Sequence, residues 1–430
     1  MTAVDLKPTT RAQRISSLDT IRGVALLGIL LMNIAGMGLS HAYSDPTVSG
    51  GFTGWNLTAW WATTMLFEGT MRGMFSMLFG AGVILFTSRS VGDINGVSVT
   101  DAYFRRVSWL VVFGMVHAYL LLWIGDILYA YGLVGFFVYS FRNLDAKKLI
   151  IVAFFALVGA FLINYTDYAT NRNMSLASQE AKEKKEAGQE LTEEETGAIE
   201  GWEAVLAEAK PPQEVIDKDI ASRHKGYFSV VASQSKVAQF LETMIMYRYF
   251  FFDIFAMMIL GMAFFKLGIF QAERSNGFYL IMLLVGYGVG LTINYFETVY
   301  IVEHDFEIVA TGKASLSYDV GRVATTFGHV ALIMLFVKSG LLGFLQRALA
   351  AVGQMALSNY ISHTLITTTI FIFFKQFGAF ERYELYYIVF GIWIFQLIMS
   401  PIWLKYFRFG PLEWGWRTLT YWERQPFRRD

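Results

Sequence analysis

The sequence predicts an all-α protein, a polytopic transmembrane helix bundle of about ten helices with a polar extracytoplasmic insertion. Hydrophobic residues make up 55% of the 430 positions, charged residues only 16%, and the mean hydropathy is +0.43. Apolar runs long enough to cross a hydrocarbon core of about 30 Å recur along the chain. A stretch rich in Glu and Lys interrupts them. We therefore divide the chain into N-terminal membrane helices (1–165), the insertion (166–240), and C-terminal membrane helices with a cytoplasmic tail (241–430).

Composition excludes several classes of function. The 35 basic and 35 acidic residues cancel, so we expect no nucleic-acid partner. The absence of cysteine excludes disulfides, cysteine-ligated metals and a thiol nucleophile. Six scattered histidines give no metal-ligand spacing, and there is no nucleotide-binding or zinc-hydrolase motif. We therefore expect neither a metal nor a bound cofactor.

The apolar runs define the predicted spans in chain order. They cover 15–39, 70–87, 107–123, 127–141, 149–165, 243–265, 277–296, 320–337, 350–374 and 385–404. Trp55, Trp60 and Trp61 gather where an aromatic belt would lie, which indicates that residues 57–67 form an interfacial helix or half-span. A tight turn at Gly125 and Asp126 joins the third and fourth spans into a hairpin.

Basic residues predict the orientation of these spans. Those that fall on one side are Arg11, Arg14, Arg89, Arg105, Arg106, Arg142, Lys147, Lys148, Lys266, Arg274, Lys338, Arg347, Lys405, Arg408 and Arg417. Lys375 and Arg382 are exceptions. By the positive-inside rule that side is the cytoplasm, so both termini are predicted to be cytoplasmic.

The first span carries an acid, a base and an amide. Asp19 and Arg22 are three residues apart and can pair along one helix face. Asn33 follows Arg22 by eleven residues, which returns it to nearly the same face about 16 Å further along. Polar residues in a membrane helix often mark a functional site. An ion pair that only fixes helix register is an equally good interpretation.

The third span contains the best acid or base of the chain. His117 lies on an otherwise apolar run, and imidazole is the side chain that titrates near neutral pH. Asp126 at the following turn either orients this histidine or caps the next helix. A purely structural hydrogen bond of His117 to a neighbouring helix stays an open alternative.

Other polar residues interrupt the apolar runs. Arg72 lies in a helix break at 68–73, where irregular backbone must contact protein or water. Asn359 and His363 share a helix face in the ninth span, as do Arg322 and His329 in the eighth. Together they predict a polar bundle interior.

Several ordered motifs resemble one family. They are SLDTIRGVALLGILLMNI at 17–34, LFGAG at 78–82, GMVH at 114–117 with GDIL at 125–128 and YGLVG at 131–135, GQMALSNY at 353–360, and FGPLEWGWR at 409–417. The chain resembles the YeiB family of bacterial inner-membrane proteins, whose C-terminal half is a domain of unknown function. This resemblance implies a bacterial inner-membrane location.

The opening motif is also similar to that of membrane acyltransferases acting on heparan glucosamine and bacterial glycans. Those enzymes place their histidine just after the first span, where this chain has His41. Members of the YeiB family commonly carry Arg where this chain has Gln354 and Gln where it has His363.

The leading hypothesis from the sequence is a membrane-embedded acyltransferase that moves an acyl group from cytoplasmic acyl-CoA to an extracytoplasmic or lipid-linked acceptor. His117, or else His41, would act as general base and Asp126 would orient it. The substrate-binding residues would be Asp19, Arg22, Asn33, Arg72 and Asn359. A secondary transporter and a structural or lipid-binding protein are the alternatives. Membrane lipids and a second copy of the chain are the expected partners.

Overall fold

The computed structural model describes residues 16–42, 45–88 and 98–429. Within these ranges the protein is helical and forms no strand, apart from one isolated bridge between Phe407 and Arg428. The predicted all-α class is confirmed. Arg11, Arg14 and Arg89, which contributed to the predicted orientation, lie outside the described residues.

Seventeen α-helices are present in the described ranges. They are α1 Ser16–Gly38, α2 Trp55–Leu66, α3 Thr70–Thr87, α4 Val99–Tyr119, α5 Leu128–Val138, α6 Ala146–Glu186, α7 Glu193–Ala209, α8 Gln213–His224, α9 Tyr227–Phe240, α10 Phe251–Lys266, α11 Asn276–Glu303, α12 Ile308–Ala314, α13 Tyr318–Ser339, α14 Gly343–Gln354, α15 Ala356–Thr368, α16 Leu385–Tyr406 and α17 Pro411–Tyr421. A π-helical segment, Leu241–Phe250, joins α9 to α10, and another, Thr369–Phe373, extends α15.

Each of the ten predicted spans overlaps a helix. In the described part of the chain, seven helical segments are long and apolar enough to cross a membrane. One of them combines α2 and α3, which are separated by the break at Glu68 and Gly69. Gly69 has φ 65°, a left-handed conformation that glycine adopts without steric cost. The helices α4, α5 and α15 are shorter or less apolar and pack among the long ones.

The helix α1 forms the centre of the bundle. It packs against α3, α14, α15 and α16, and most of its apolar side chains are buried. Its backbone approaches α14 so closely that a Cβ added at Gly353 would lie 1.9 Å from the Asp19 carbonyl oxygen. Small residues permit such contacts between membrane helices. In contrast, α6 and α11 lie at the periphery and expose apolar side chains such as Phe154 and Phe155.

The polar stretch 166–240 is built from the end of α6 and from α7, α8 and α9. A capping box starts α7, because Thr192 and Glu195 each accept a hydrogen bond from the other's backbone N–H. The helix α8 packs against the bundle at the end where α1 finishes. There Ser40 Oγ donates to Asp219 Oδ2 over 2.6 Å, and His224 Nε2 donates to the Phe377 carbonyl over 3.1 Å.

Candidate active site

A cavity of about 290 Å³ opens at the end of the bundle where α1 begins. Its volume is near the lower end of the range for ligand pockets, about 300–1,000 Å³. The charged residues that line it are Asp19, Arg22, Arg106, Glu413 and Arg417. Its aromatic lining comprises Phe75, Phe79, Phe86, Tyr103, Tyr131, Tyr360, Trp416 and Tyr421. We refer to it below as the arginine cavity.

Motifs far apart in the sequence meet in this cavity. Lining residues come from the motifs in the first span, α3, α5, the α14–α15 junction and α17. The contact of Gly353 with α1 brings the α14–α15 junction to the opening motif. The carboxylate of Glu413 joins α17 to α15, as described below. All the motifs that carry the family resemblance, except GMVH at 114–117, therefore contribute to one cavity.

Three guanidinium groups give the cavity its positive charge. Arg22 Nη1 lies 2.9 Å from Asp19 Oδ1. The guanidinium of Arg106 stacks on the Trp416 ring at 3.6 Å, and Trp416 Nε1 donates to the Arg106 carbonyl over 2.9 Å. Arg417 lies 4.5 Å from the centre of the Phe409 ring. Among the described residues, neither Arg106 nor Arg417 forms an ion pair with a carboxylate.

Burial affects the two charged groups of α17. The Glu413 carboxylate accepts hydrogen bonds from Leu357 N at 2.6 Å, Ser358 N at 3.1 Å and Ser358 Oγ at 2.5 Å, so it caps the start of α15. Burial raises the pKa of Glu413 and lowers the pKa of Arg417. The Glu413 oxygens bond to α15 and, among the described residues, form no ion pair with a neighbouring arginine.

His117 is fully buried beyond the inner wall of the arginine cavity. Its Nδ1 lies 2.6 Å from Asp126 Oδ1, and its Nε2 lies 2.7 Å from Thr364 Oγ1. The other oxygen of Asp126 accepts from Tyr129 N in the first turn of α5 over 2.8 Å. The carboxylate therefore both orients the histidine and caps a helix, the two roles that the sequence left as alternatives.

The His117 group lies between two cavities. The ring of Tyr360, which lines the arginine cavity, meets the His117 ring edge-on at 5.0 Å. On the other side, Thr364 lines a second cavity of about 20 Å³ with Met37, Trp123 and Arg223. We call this the small cavity. It lies near the end of α1, about 22 Å along that helix from Arg22.

Arg72 lies in a separate group of buried charges. Its Nη2 is 2.8 Å from Asp253 Oδ2, while Arg322 Nη1 is 2.7 Å from the other oxygen of Asp253. Arg322 Nη2 also lies 2.7 Å from Asp319 Oδ1. We call these four residues the charge network. It connects α3, α10 and α13 and does not line the arginine cavity.

Other residues singled out in the sequence lie elsewhere. Asn33 is half-buried and has no hydrogen-bond partner in the described part of the chain. Asn359 donates to Val352 O and Ser400 Oγ, so it ties α15 to α14 and α16. His41 is exposed at the end of α1 and contacts Ser40. Of the predicted binding residues, only Asp19 and Arg22 line the arginine cavity.

The structure also adds residues that sequence reasoning missed. Arg106 entered the sequence argument only as a marker of orientation, Arg417 only as such a marker and as part of a motif, and Thr364 and Tyr360 had no assigned role. The FGPLEWGWR motif was the signal for Arg417, because a charged residue inside a recognisable motif merits a functional interpretation. Across the described ranges, no group of three or more His, Cys, Asp or Glu could hold a metal ion.

Comparison with known proteins supports the resemblance to the YeiB family. The family described as "Protein of unknown function (DUF418)" matches residues 264–423. The chain is 27% identical over 427 residues to the uncharacterized protein YeiB of Escherichia coli, covering 95% of this chain and 96% of that protein. It is 26% identical over 438 residues to the uncharacterized protein YxaH of Bacillus subtilis, covering 98% of each. The chain is therefore similar to YeiB and YxaH along nearly its whole length.

A further member of the comparison is an uncharacterized 39.9 kDa protein of Bacillus acidopullulyticus. It is 24% identical over 428 residues, covering 97% of this chain and 96% of that protein. No solved structure matches the chain. The names of these YeiB-family relatives state no activity, so the function has to be argued from the site itself.

Proposed function

We propose that the protein is a membrane-embedded acyltransferase that uses acyl-CoA as co-substrate and holds it in the arginine cavity. The acceptor is an extracytoplasmic or lipid-linked hydroxyl or amine that arrives at the small cavity. One observation carries the proposal. The two cavities lie near opposite ends of α1, and the buried Asp126–His117 pair lies between them. An acyl group could therefore cross the bundle while its carrier stays on one side.

The lining of the arginine cavity supports a phosphorylated donor. Arginine recognises phosphate oxygens through two parallel hydrogen bonds, and no carboxylate of the described residues forms an ion pair with Arg106 or Arg417. Coenzyme A offers a diphosphate and a ribose phosphate to such groups. Its adenine can stack on the aromatic rings that line the same space. The cavity thus supplies both interactions that the nucleotide part needs.

The charge distribution supports the direction of transfer. Arg22, Arg106 and Arg417 all line one end of the bundle, and the positive-inside rule assigns such an end to the cytoplasm. Acyl-CoA is a cytoplasmic metabolite, so in a bacterial inner membrane the donor would enter at this end. Both termini would then be cytoplasmic, and the small cavity would face the outside.

His117 is the general base in this proposal. A hydrogen bond from His117 Nδ1–H to the Asp126 carboxylate would hold the proton on Nδ1 and leave the lone pair of Nε2 to accept a proton. Hydrogen bonds in sites without substrate often rearrange when substrate binds. Removal of a positioned base typically lowers the rate by about 10² to 10⁴.

Purified protein and labelled acetyl-CoA test the proposal. Titration calorimetry with CoA should show binding, and incubation with a lipid extract should move the label from acetyl-CoA to a product. The variant His117→Ala should bind CoA but transfer about 10² to 10⁴ more slowly. His304→Ala is the matched control, because His304 is exposed and contacts only its own helix turn. Failure of the wild-type protein to bind CoA or transfer the label would refute the function.

The charge network supports a second candidate function, a secondary transporter. Buried carboxylates and arginines between membrane helices are typical of ion-coupled pathways. Substrate flux into proteoliposomes without consumption of acyl-CoA would favour this function over the first. Homodimer formation stays a separate prediction for either function.

A further inference from the structure

We propose that Thr364 carries the acyl group covalently between the donor and the acceptor. This inference rests on the proposed acyltransferase function. It makes the reaction a double displacement, in which Asp126, His117 and Thr364 act as carboxylate, base and nucleophile. The order of groups is that of the triads that activate a hydroxyl in nucleophilic enzymes.

The distances support this assignment. Asp126 Oδ1 lies 2.6 Å from His117 Nδ1, and His117 Nε2 lies 2.7 Å from Thr364 Oγ1. Because Asp126 accepts the Nδ1 proton, Nε2 is the acceptor and the Thr364 hydroxyl donates to it. The lone pair that would remove a proton is therefore already aimed at the hydroxyl oxygen that would attack.

The hydroxyl of Thr364 differs from those of Thr367 and Thr369. A threonine inside a helix commonly donates to the carbonyl oxygen of the preceding turn. Thr367 and Thr369 do so, to His363 O at 2.9 Å and Leu365 O at 2.7 Å. Thr364 Oγ1 has no such bond to its own helix and pairs with His117 instead. Its hydroxyl is thus held by the base.

Thr364 also lies where both half-reactions can reach it. Tyr360, one helical turn or about 6 Å earlier on α15, borders the arginine cavity. Thr364 itself borders the small cavity. Only the acyl end of the donor has to pass the Tyr360 ring, while the nucleotide stays among the arginines. The acceptor then meets the acyl group from the other side.

The two half-reactions balance. In the first, Thr364 Oγ1 gives its proton to His117 Nε2 and attacks the thioester carbonyl carbon. The C–S bond breaks, and the sulfur leaves as the CoA thiol with the proton from His117. In the second, the acceptor hydroxyl or amine gives a proton to His117 and attacks the ester. The bond from Oγ1 to the acyl carbon breaks, and His117 returns the proton to Oγ1.

The decisive experiment needs no acceptor. Wild-type protein is incubated with acetyl-CoA and isotopically labelled free CoA, the exchange of label into acetyl-CoA is measured, and the protein is analysed by intact mass and peptide mapping. We expect exchange, together with one acetyl group on Thr364. Thr364→Ser should retain exchange and Thr364→Val should lose it while still binding CoA. Thr298→Val removes an equally buried threonine hydroxyl from α11 and should behave as the wild type.

The outcomes separate this inference from the proposed function. Net transfer to an acceptor without CoA exchange and without an adduct would overturn the role of Thr364 but leave the acyltransferase intact. Full exchange in Thr364→Val, or an adduct that maps to His117, would overturn it as well. A wild-type protein that neither exchanges nor transfers the acetyl group would refute both.

Discussion

The charge network and the arginine cavity use the same residue type in opposite ways. In the network, Arg322 is almost completely buried and lies 2.7 Å from carboxylate oxygens of both Asp253 and Asp319. In the cavity, Arg106 and Arg417 stack on aromatic rings and have no carboxylate partner in the described chain. The network neutralises its charge internally, whereas the cavity leaves positive charge for something else to neutralise.

This difference indicates which arginines bind a ligand. A buried cation without an internal partner costs free energy, and an anionic ligand recovers it. A paired cation has nothing to gain from a ligand and stabilises only the native arrangement of helices. Variants in the network should therefore change stability, and variants in the cavity should change ligand affinity.

The largest effect is expected for Arg322→Met. It leaves one oxygen of the buried Asp253 and the partly buried Asp319 without their partner, and breaking a buried pair in this way costs about 3–5 kcal/mol. Thermal unfolding in detergent should show a strongly lowered midpoint. Arg248→Met removes the exposed pair with Asp167 and should cost about 1 kcal/mol or less. Equal losses in both variants would contradict the structural role of the network.

A smaller effect, on binding, is expected for Arg417→Met. Loss of a hydrogen bond to a charged group costs about 1.5–3 kcal/mol, or about tenfold to a hundredfold in the Kd of CoA. Thermal stability should be unchanged or higher, because the variant removes a partly buried charge that forms no ion pair with a carboxylate of the described residues. Calorimetric titration checks the affinity, with the exposed Arg347→Met as control. An unaltered CoA affinity would show that the cavity binds another ligand or none.

Gly353→Ala tests whether the backbone contact shapes the cavity. Alanine favours a helix by about 1 kcal/mol over glycine, so an open site would gain stability. Here the new Cβ would lie 1.9 Å from the Asp19 carbonyl oxygen, and such overpacking costs about 1–3 kcal/mol. Both the unfolding midpoint and CoA affinity should fall. Gly391→Ala, where nothing lies within 4 Å of the new Cβ, should lose neither.

The smallest effect concerns the pH dependence of stability. Burial raises the pKa of Glu413, so the folded protein keeps a proton there at pH values where the unfolded chain has lost it. The free energy of unfolding should therefore fall as the pH rises from about 4.3, the ordinary glutamate value, through the raised one. Glu413→Gln should flatten this dependence in thermal unfolding curves, whereas the exposed Glu423→Gln should not. Identical curves for Glu413→Gln and the wild type would contradict the assignment of this pH dependence to Glu413.

Much of the helical bundle follows from the sequence alone. Long apolar runs predict spans because the backbone must satisfy its own hydrogen bonds in lipid. The helix break at Glu68 and Gly69 was likewise visible, since a charge and a glycine interrupt the apolar pattern. Helix lengths were harder to predict, because α4 and α15 gain their order from neighbours and not from their own hydropathy.

The site was only partly predictable. Asp19, Arg22, His117 and Asp126 stand out because each is polar in an apolar run. Their partners do not stand out. The contacts between helices are long-range, and the periodicity of a single sequence does not encode them. Thr364 illustrates this, since its partner His117 is 247 residues away.

The length of α6 has a practical consequence. Its 41 residues extend about 60 Å, twice the roughly 30 Å thickness of a hydrocarbon core. The turn at Gly188, just past the end of α6, therefore lies well beyond the lipid surface, at the tip of one long continuous helix. A protease added from outside would therefore cut a site inserted at this turn either in intact cells or in inverted vesicles, but not in both. The part of α6 that extends beyond the membrane would also help to recognise the orientation of single protein particles in electron micrographs.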